Sequence, residues 1–387
     1  VSFKQYIAES LDSFGKLKHL EHVEDHILQD DARGYQHVKD LLHSVHDRIL
    51  GKPSTTKITT KFDGSPSIVF GHDPKTGKFF VGTKAVLSDK PTLNFTEADI
   101  EKHYSDRPEL AAKLKSAREH LVRVVPHTGV YQGDFMYNKD TIHEDDKAYH
   151  FTPNTLMYSI KKKDPEAEKI KHAQIGIVVH TKYHGKDLGS MTAGFEPDLH
   201  NFRGSRSVHL IDPNFHLDKS LGGEDFDNNF TKHITDAEKT YLKAHPETFK
   251  ETVGHANFIK KYINDTVRNG EKPTAIGLKA SITNYYKQEA DKLKTVAGRL
   301  KKKEQLLSHL NHMDEHHEKY QSLFDLHHHL QQAKNVLIDA LDKTNHYVTS
   351  VDGREGPGEG FVAIHHGFPS KLVNREGFSR INLSKHK

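Results

Sequence analysis

Apolar residues recur at helical spacing through the first fifty positions: Phe3, Tyr6, Ile7, Leu11 and Phe14, then Val38, Leu41, Leu42, Val45 and Ile49. Residues 1–50 are therefore expected to form an N-terminal segment of two or three helices. From Lys57 the pattern shortens to β-type runs parted by Gly and Pro: KITTKF, PSIVFG and KFFVGTKA, with turn chemistry at Asp73-Pro74-Lys75-Thr76-Gly77 that predicts a hairpin. A helical stretch near 97–122 precedes further strand candidates, GVYQGDFMY, TLMYSI, AQIGIVVHTKY and SVHLID. Between 213 and 345 the helical period returns, as in Val336, Leu337, Ala340 and Leu341, on a background of Lys, Glu and His. The chain then reverts to Gly-rich turns and a β run, GREGPGEGFVAIHH, and ends in SKLVNREGFSRINLSKHK. This order predicts an α+β domain in two parts, 51–212 and 346–387, with an inserted all-helical domain at 213–345.

Composition narrows the chemistry. The chain has no cysteine, which removes disulfides, thiolate catalysis and Cys-ligated zinc and suits a reducing compartment. No run approaches the roughly 20 apolar residues of a bilayer span, and VSFKQYIAES lacks the apolar core of a signal peptide. A cytoplasmic protein without a membrane partner is expected, read as a monomer. The formal charge of +3 is too small to establish nucleic-acid binding by itself.

Lys61-Phe62-Asp63-Gly64 lies between two strand candidates, where a lysine can project into a pocket while the glycine lets the backbone turn beneath a ligand. A lysine amine in its neutral form is a nucleophile able to carry a covalent intermediate. By spacing alone a solvated Lys before an Asp-Gly turn is an equal reading.

KFDGSPSIVFG resembles motif I of the covalent nucleotidyltransferases, the superfamily of ATP-dependent DNA ligases, RNA ligases and mRNA capping enzymes. Later segments follow in the same order. VGTKAVLS resembles the segment that places a basic residue, here Lys84. GVYQGDFMY resembles motif III with Asp134 at its acidic position, AQIGIVVHTKY resembles motif IIIa, GEGFVAI resembles motif IV with Glu359, and FPSKLVN resembles motif V with Lys371. The sequence departs from the pattern at Pro66, where DNA ligases commonly have arginine, at Asp134 for the usual Glu, and in motif V, where Arg375 or Lys385 is left to supply a second cation.

The resemblance implies a ligase-type nucleotidyltransferase (adenylation) domain of antiparallel sheets and helices, in which Lys61 attacks the α-phosphate of ATP. Asp63 and Gly64 would belong to the nucleotide site, Asp134 and Glu359 would hold Mg²⁺ (or Mn²⁺), Lys84 and Lys371 would neutralise phosphate oxygens, and Phe135 or Tyr131 would stack on adenine. It implies an ATP-dependent polynucleotide ligase acting on nicked DNA or RNA duplex, DNA favoured, with an RNA ligase, a GTP-using capping-type guanylyltransferase and a non-catalytic nucleotide-binding protein as alternatives. The N-terminus and compact organisation also resemble proteins of tailed phages, which would place it in a host-cell cytoplasm and in strand-break repair.

Two further signals lie in the helical block. Lys292, Lys294, Arg299, Lys301, Lys302 and Lys303 form a basic stretch. The chain ends too soon after motif V for the oligonucleotide-binding barrel of many relatives in the superfamily, so this stretch is expected to grip nucleic acid, with a solvated helix face as the alternative. His309, His312 and His316 share one helical face that could hold zinc with a carboxylate. With 32 histidines in the chain, a solvated or half-buried face is the preferred reading.

Overall fold

A computed structural model describes residues 20–28, 31–195, 197–217, 220–244, 250–344, 347–351, 353–356 and 358–379. The expected helix at Phe3–Phe14 and the candidate Lys385 lie outside the described residues. The fold is α+β, with largely antiparallel sheets. It divides into two compact units, one holding 57–216 and 344–369, the other 21–56, 217–343 and 370 onward.

In the first unit the strands are β1 (Lys57–Thr60), β2 (Ser67–His72), β3 (Phe79–Gly82), β4 (Val130–Asn138), β5 (His143–Glu144), β6 (Ala148–Phe151) and β7 (Met157–Lys161), followed by β8 (Ile175–His184), β9 (Thr192–Phe195) and β10 (Val208–Ile211). After the helical block come β11 (Val348–Val351), β12 (Arg354–Glu355), β13 (Phe361–His365) and the opening of β14 (Phe368–Leu372), whose last three residues belong to the other unit. They make three sheets: β1-β13-β14, β10-β8-β4-β2-β3 with β9 on β8, and β12-β11-β7-β6-β5. In the second sheet β10 runs parallel to β8 and the other pairs are antiparallel.

Ile68, Val69 and Phe70 form an unbroken apolar run because β2 is buried on both faces there. Ile68 and Phe70 pack under the helices Glu97–Tyr104 and Pro108–Leu121, while Val69 faces Phe80, Val130 and Tyr183. The single helix expected over 97–122 is broken at Ser105–Arg107, since the residue before Pro108 is disfavoured in helical conformation. Thr96 starts the first of the two with a capping box to Asp99. The expected hairpin forms: β2 pairs with β3, and Asp73 accepts from Lys75 N and Thr76 Oγ1 across the turn.

The second unit holds α1 (Asp31–Ile49), α2 (Glu224–Ala244), α3 (Lys250–Val253), α4 (Ala256–Asn269), α5 (Ala275–Asp291), α6 (Val296–Glu315) and α7 (His317–Asp342). Val38, Leu41, Leu42, Val45 and Ile49 of α1 are fully buried, as their spacing predicted. α7 is the central helix, burying Tyr320, Leu323, Phe324, Leu330, Leu337 and Leu341. Within this unit Lys334 of α7 donates to Glu24 at 2.7 Å, His327 lies 2.8 Å from Asp25, and Arg375 also pairs with Asp25, all of them buried.

That network corrects two expectations. Residues 21–56 and 370 onward pack with the helical block, so the N-terminal segment is not separate and the second stretch of the first unit is 344–369 rather than 346–387. Arg375 is committed to Asp25 and Glu24, which removes it as a second phosphate-binding cation.

Candidate active site

The register of β1 on β13 pairs Thr60 with Phe361, which sets the residues just after β1 beside those just before β13. Lys61 N donates to Gly360 O at 2.8 Å, and Lys61 Nζ makes an ion pair with Glu359, 298 residues away in the chain. The lysine side chain keeps 24% of its surface exposed and the glutamate 12%. Glu359 Oε2 is buried and has no hydrogen-bond partner among the described residues. Burial raises the carboxyl pKa of Glu359, the Lys61 ammonium opposes the rise, and Asp63 and Asp134 add to it.

The alternation of the strand carries past β1. Phe62 turns inward against Tyr158 and Tyr347, with ring centroids 5.8 and 5.4 Å away. Asp63 is buried and fully engaged: Asn154 Nδ2 donates to Oδ1 at 2.8 Å, Thr155 N and Leu156 N donate to Oδ2 at 2.8 and 3.1 Å, and its own N–H donates to Tyr158 Oη at 2.6 Å. The expected nucleotide-binding carboxylate is therefore a clamp that fixes the turn to the loop before β7. Gly64 passes so close to β4 that a Cβ there would fall 2.5 Å from Asp134 Cβ and 2.9 Å from Met136 Sδ. The turn is stitched to β4 by Ser65 N to Phe135 O and Phe135 N to Pro66 O, both 3.0 Å, and Lys113 Nζ donates to Ser65 O at 2.9 Å. Burial lowers the pKa of Lys113.

Asp134 stands on β4 opposite Ser67 of β2 and Val178 of β8, with His180 Nε2 3.5 Å from its Oδ1. Further along the same face Gln132 accepts from Tyr183 Oη at 2.5 Å and donates to Ser67 Oγ at 2.9 Å. Lys61, Asp63, Gly64, Asp134 and Glu359 are thus brought to one turn, where among the described residues Glu359 Oε2 has no hydrogen-bond partner and Asp134 has a side-chain contact with His180. The Glu359 oxygen calls for a further partner, which a hard divalent cation or a donor on a ligand could supply.

Other expected residues lie elsewhere. Phe135 and Tyr131 are 1% and 2% exposed in the core beneath the helices Glu97–Tyr104 and Pro108–Leu121, so neither presents a stacking face; this corrects the adenine-stacking expectation. Lys84 is exposed at the start of a one-turn 3₁₀ helix after β3. Lys371 belongs to the second unit, where its N–H donates to Glu21 O at 2.8 Å. Of the basic stretch, Lys292 pairs with Glu289, Arg299 Nε donates to Leu293 O, and Lys302 lies over the Tyr286 ring, while Lys294, Lys301 and Lys303 are exposed.

Sequence reasoning missed Tyr158, Asn154, Lys113 and His180. Tyr158 and Asn154 sit in a strand and loop with no motif of their own. His180 is brought in by a bulge, where β8 pairs Val179 with Gly133 and Thr181 with Gln132, a feature that leaves no periodic trace. A cavity lined by Lys169, His172, Arg203 and Arg206, with Glu168, Asp198 and Asp212, includes none of the converging residues. No helix among the described residues is long and apolar enough to cross a membrane.

Comparison with curated proteins and with solved structures finds no match. Residues 17–387 match DUF6267, a family of unknown function, and the chain belongs to that family.

Proposed function

We propose that this protein is an ATP-dependent polynucleotide ligase that seals strand breaks through a lysyl-AMP intermediate on Lys61. The observation that carries the reading is the meeting of Lys61 with Glu359 across β1 and β13, with Asp134 brought to the same turn by Gly64. A ligase-type adenylation domain accounts for the order of the sequence segments as well as for this convergence.

In this reading the neutral Lys61 amine attacks the α-phosphorus of ATP, a P–N bond forms, and the bond to pyrophosphate breaks with its electron pair leaving on pyrophosphate. Glu359 touches the ammonium and is the group placed to take its proton, a role helped by the burial that raises its carboxyl pKa. A terminal 5′-phosphate oxygen then displaces Lys61 from the adenylate, and a 3′-hydroxyl displaces AMP to close the strand. Asp134 and Glu359 are the residues that would hold Mg²⁺, which offsets phosphate charge when bound. Asp63 holds the turn that carries Lys61, and Lys84 is proposed to neutralise phosphate. Nicked duplex is the proposed partner, DNA in preference to RNA.

The test is incubation of the full chain with Mg²⁺ and α-labelled ATP or GTP, without nucleic acid, followed by denaturation. Label from ATP retained by the wild type and absent from Lys61→Ala is expected, as is its transfer to nicked DNA. Label from GTP alone would replace the reading with capping-type guanylyl transfer. No label from either nucleotide, on folded protein free of pre-bound AMP, would end the catalytic reading.

A further inference from the structure

The helical unit holds a second constellation that the proposed chemistry does not use. The face expected to carry His309, His312 and His316 forms, but its three histidines have different partners. His309 is consumed: its Nδ1 lies 2.7 Å from His255 Nε2 and its Nε2 lies 2.8 Å from Tyr286 Oη. His312 and His316 instead direct Nε2 toward Glu251 of α3, whose Oε2 is 3.7 Å from the first and 3.8 Å from the second.

Those separations exceed a hydrogen bond. They match what a shared ion produces, since two ligands each about 2.1 Å from a metal lie about 3.4 to 3.8 Å apart at angles near or somewhat above tetrahedral. His312 is also held from its far side. Tyr320 Oη lies 3.2 Å from His312 Nδ1 and 2.7 Å from His255 Nδ1, so the ring that offers Nε2 is held at its other nitrogen by a buried hydroxyl that is itself held. His316, one helical turn on, stacks its ring edge-on to His312 at 4.6 Å between centroids.

We infer that Glu251, His312 and His316 form a binding site for a borderline divalent cation of the zinc class, with a remaining position open to water. Two imidazoles and one carboxylate suit Zn²⁺ better than Mg²⁺ or Ca²⁺, which favour oxygen ligands. Glu251 keeps 45% of its side chain exposed, so the ion reaches the site from solvent. The bound cation joins α3 to the end of α6 at the turn into α7. Among the described residues the other compact acid–histidine group, Glu24, Asp25 and His327, has a different character, because Lys334 and Arg375 already supply its positive charge.

The experiment uses the full chain stripped with a chelator and titrated with Zn²⁺ against a chromophoric competitor, with Co²⁺ absorption as a second readout. Because the chain is rich in histidine, the quantity read is the tightest single equivalent. The wild type is expected to bind one such equivalent and to give a Co²⁺ spectrum of low coordination number. Glu251→Gln and His316→Gln should weaken it by at least about 100-fold, Tyr320→Phe by about 10-fold, and His309→Gln much less than His316→Gln. Glu251 is half exposed, so its variant tests the ligand without disturbing the core. Equal binding by wild type and Glu251→Gln, absence of a tight equivalent in the wild type, or a loss in His309→Gln as large as in His316→Gln would each overturn the site.

Discussion

Replacing Lys61 with Met removes the cation paired with Glu359 and leaves a largely buried carboxylate whose Oε2 lacks a partner among the described residues. The cost has a ceiling, because the folded protein can always bury Glu359 protonated instead of charged. Protonating a group whose unfolded pKa is about 4.3 costs about 3.7 kcal/mol at pH 7 and about 1 kcal/mol at pH 5. The sign follows from the direction of the shift: a carboxyl raised in the folded state penalises folding above its unfolded pKa, and the penalty fades as pH falls. For a unit of this size the ceiling corresponds to a melting-temperature loss of roughly 7 to 15 °C at pH 7 and a few degrees at pH 5. Thermal unfolding of wild type, Lys61→Met, Glu359→Gln and the double variant at both pH values is the assay. Lys61→Met is expected to lose much more at pH 7 than at pH 5. The double variant should recover most of that loss, since two neutral side chains of similar shape leave no buried charge. Glu359→Gln alone should lose little, because Lys61 keeps access to water. A Lys61→Met deficit identical at the two pH values, or a double variant no more stable than the single, would refute the buried pair.

Gly64→Ala should destabilise by about 1 to 3 kcal/mol, because its Cβ would lie within 3 Å of Asp134 Cβ and Met136 Sδ; it should also suppress adduct formation by displacing the turn from β4, read by the labelling assay. Asp342 ends α7 with its pKa raised to about 6 by burial and by Asp339, so a penalty on folding builds as pH rises from the unfolded value of about 3.9 to about 6 and stays level above it. Asp342→Asn should therefore stabilise by up to about 3 kcal/mol at pH 7 and by about 0.5 kcal/mol at pH 4 in denaturant titrations. Neutralising Lys294, Lys301 and Lys303 should weaken binding of a DNA duplex, lower the slope of log K against log salt by about 0.9 for each phosphate that is no longer neutralised, and leave Lys61 labelling intact. Unchanged binding and slope would reduce the stretch to a solvated corner of α5 and α6.

Elements whose pattern arises locally were legible in the sequence. α1, α7, the β2–β3 hairpin and the breaks at Gly and Pro follow from period, capping and turn chemistry. β2 was legible for a different reason: burial on both faces leaves a run too short for a buried helix. What periodicity could not give was the allocation of residues to units. Arg375 read as a candidate phosphate-binding cation, and its pairing with Asp25, like that of Lys334 with Glu24, joins segments more than 300 residues apart in a way that no local period reveals. The same limit applies at the site. Lys61, Asp134 and Glu359 were found by motif order, whereas Tyr158, Asn154 and His180 reach the turn through loop closure and a bulge. Phe135 shows the opposite error: it neighbours Asp134 in the chain, and strand alternation sends it to the other face.

The acidic residues around Lys61 differ in what the fold has asked of them. Asp63 accepts three hydrogen bonds, so its charge is spent on holding the loop at 154–156, and its presence needs no ligand to explain it. Among the described residues, Glu359 has a buried Oε2 that nothing answers, and Asp134 has His180 alone, at the limit of contact. A buried ion pair is seldom a net gain over an apolar pair of the same volume, and one with an unfilled oxygen is worse. If Lys61 and Glu359 served only to join β1 to β13, a valine facing a leucine would join them at lower cost. The fold instead keeps a partly exposed amine against an incompletely satisfied carboxylate, on a turn pressed to β4 by a glycine that admits no side chain. That arrangement is costly for structure, and on the proposed reading the cost serves a nucleophile that meets a polyanionic substrate, so the pH-resolved stability of Lys61→Met and the labelling of Lys61 address the same pair from two independent sides.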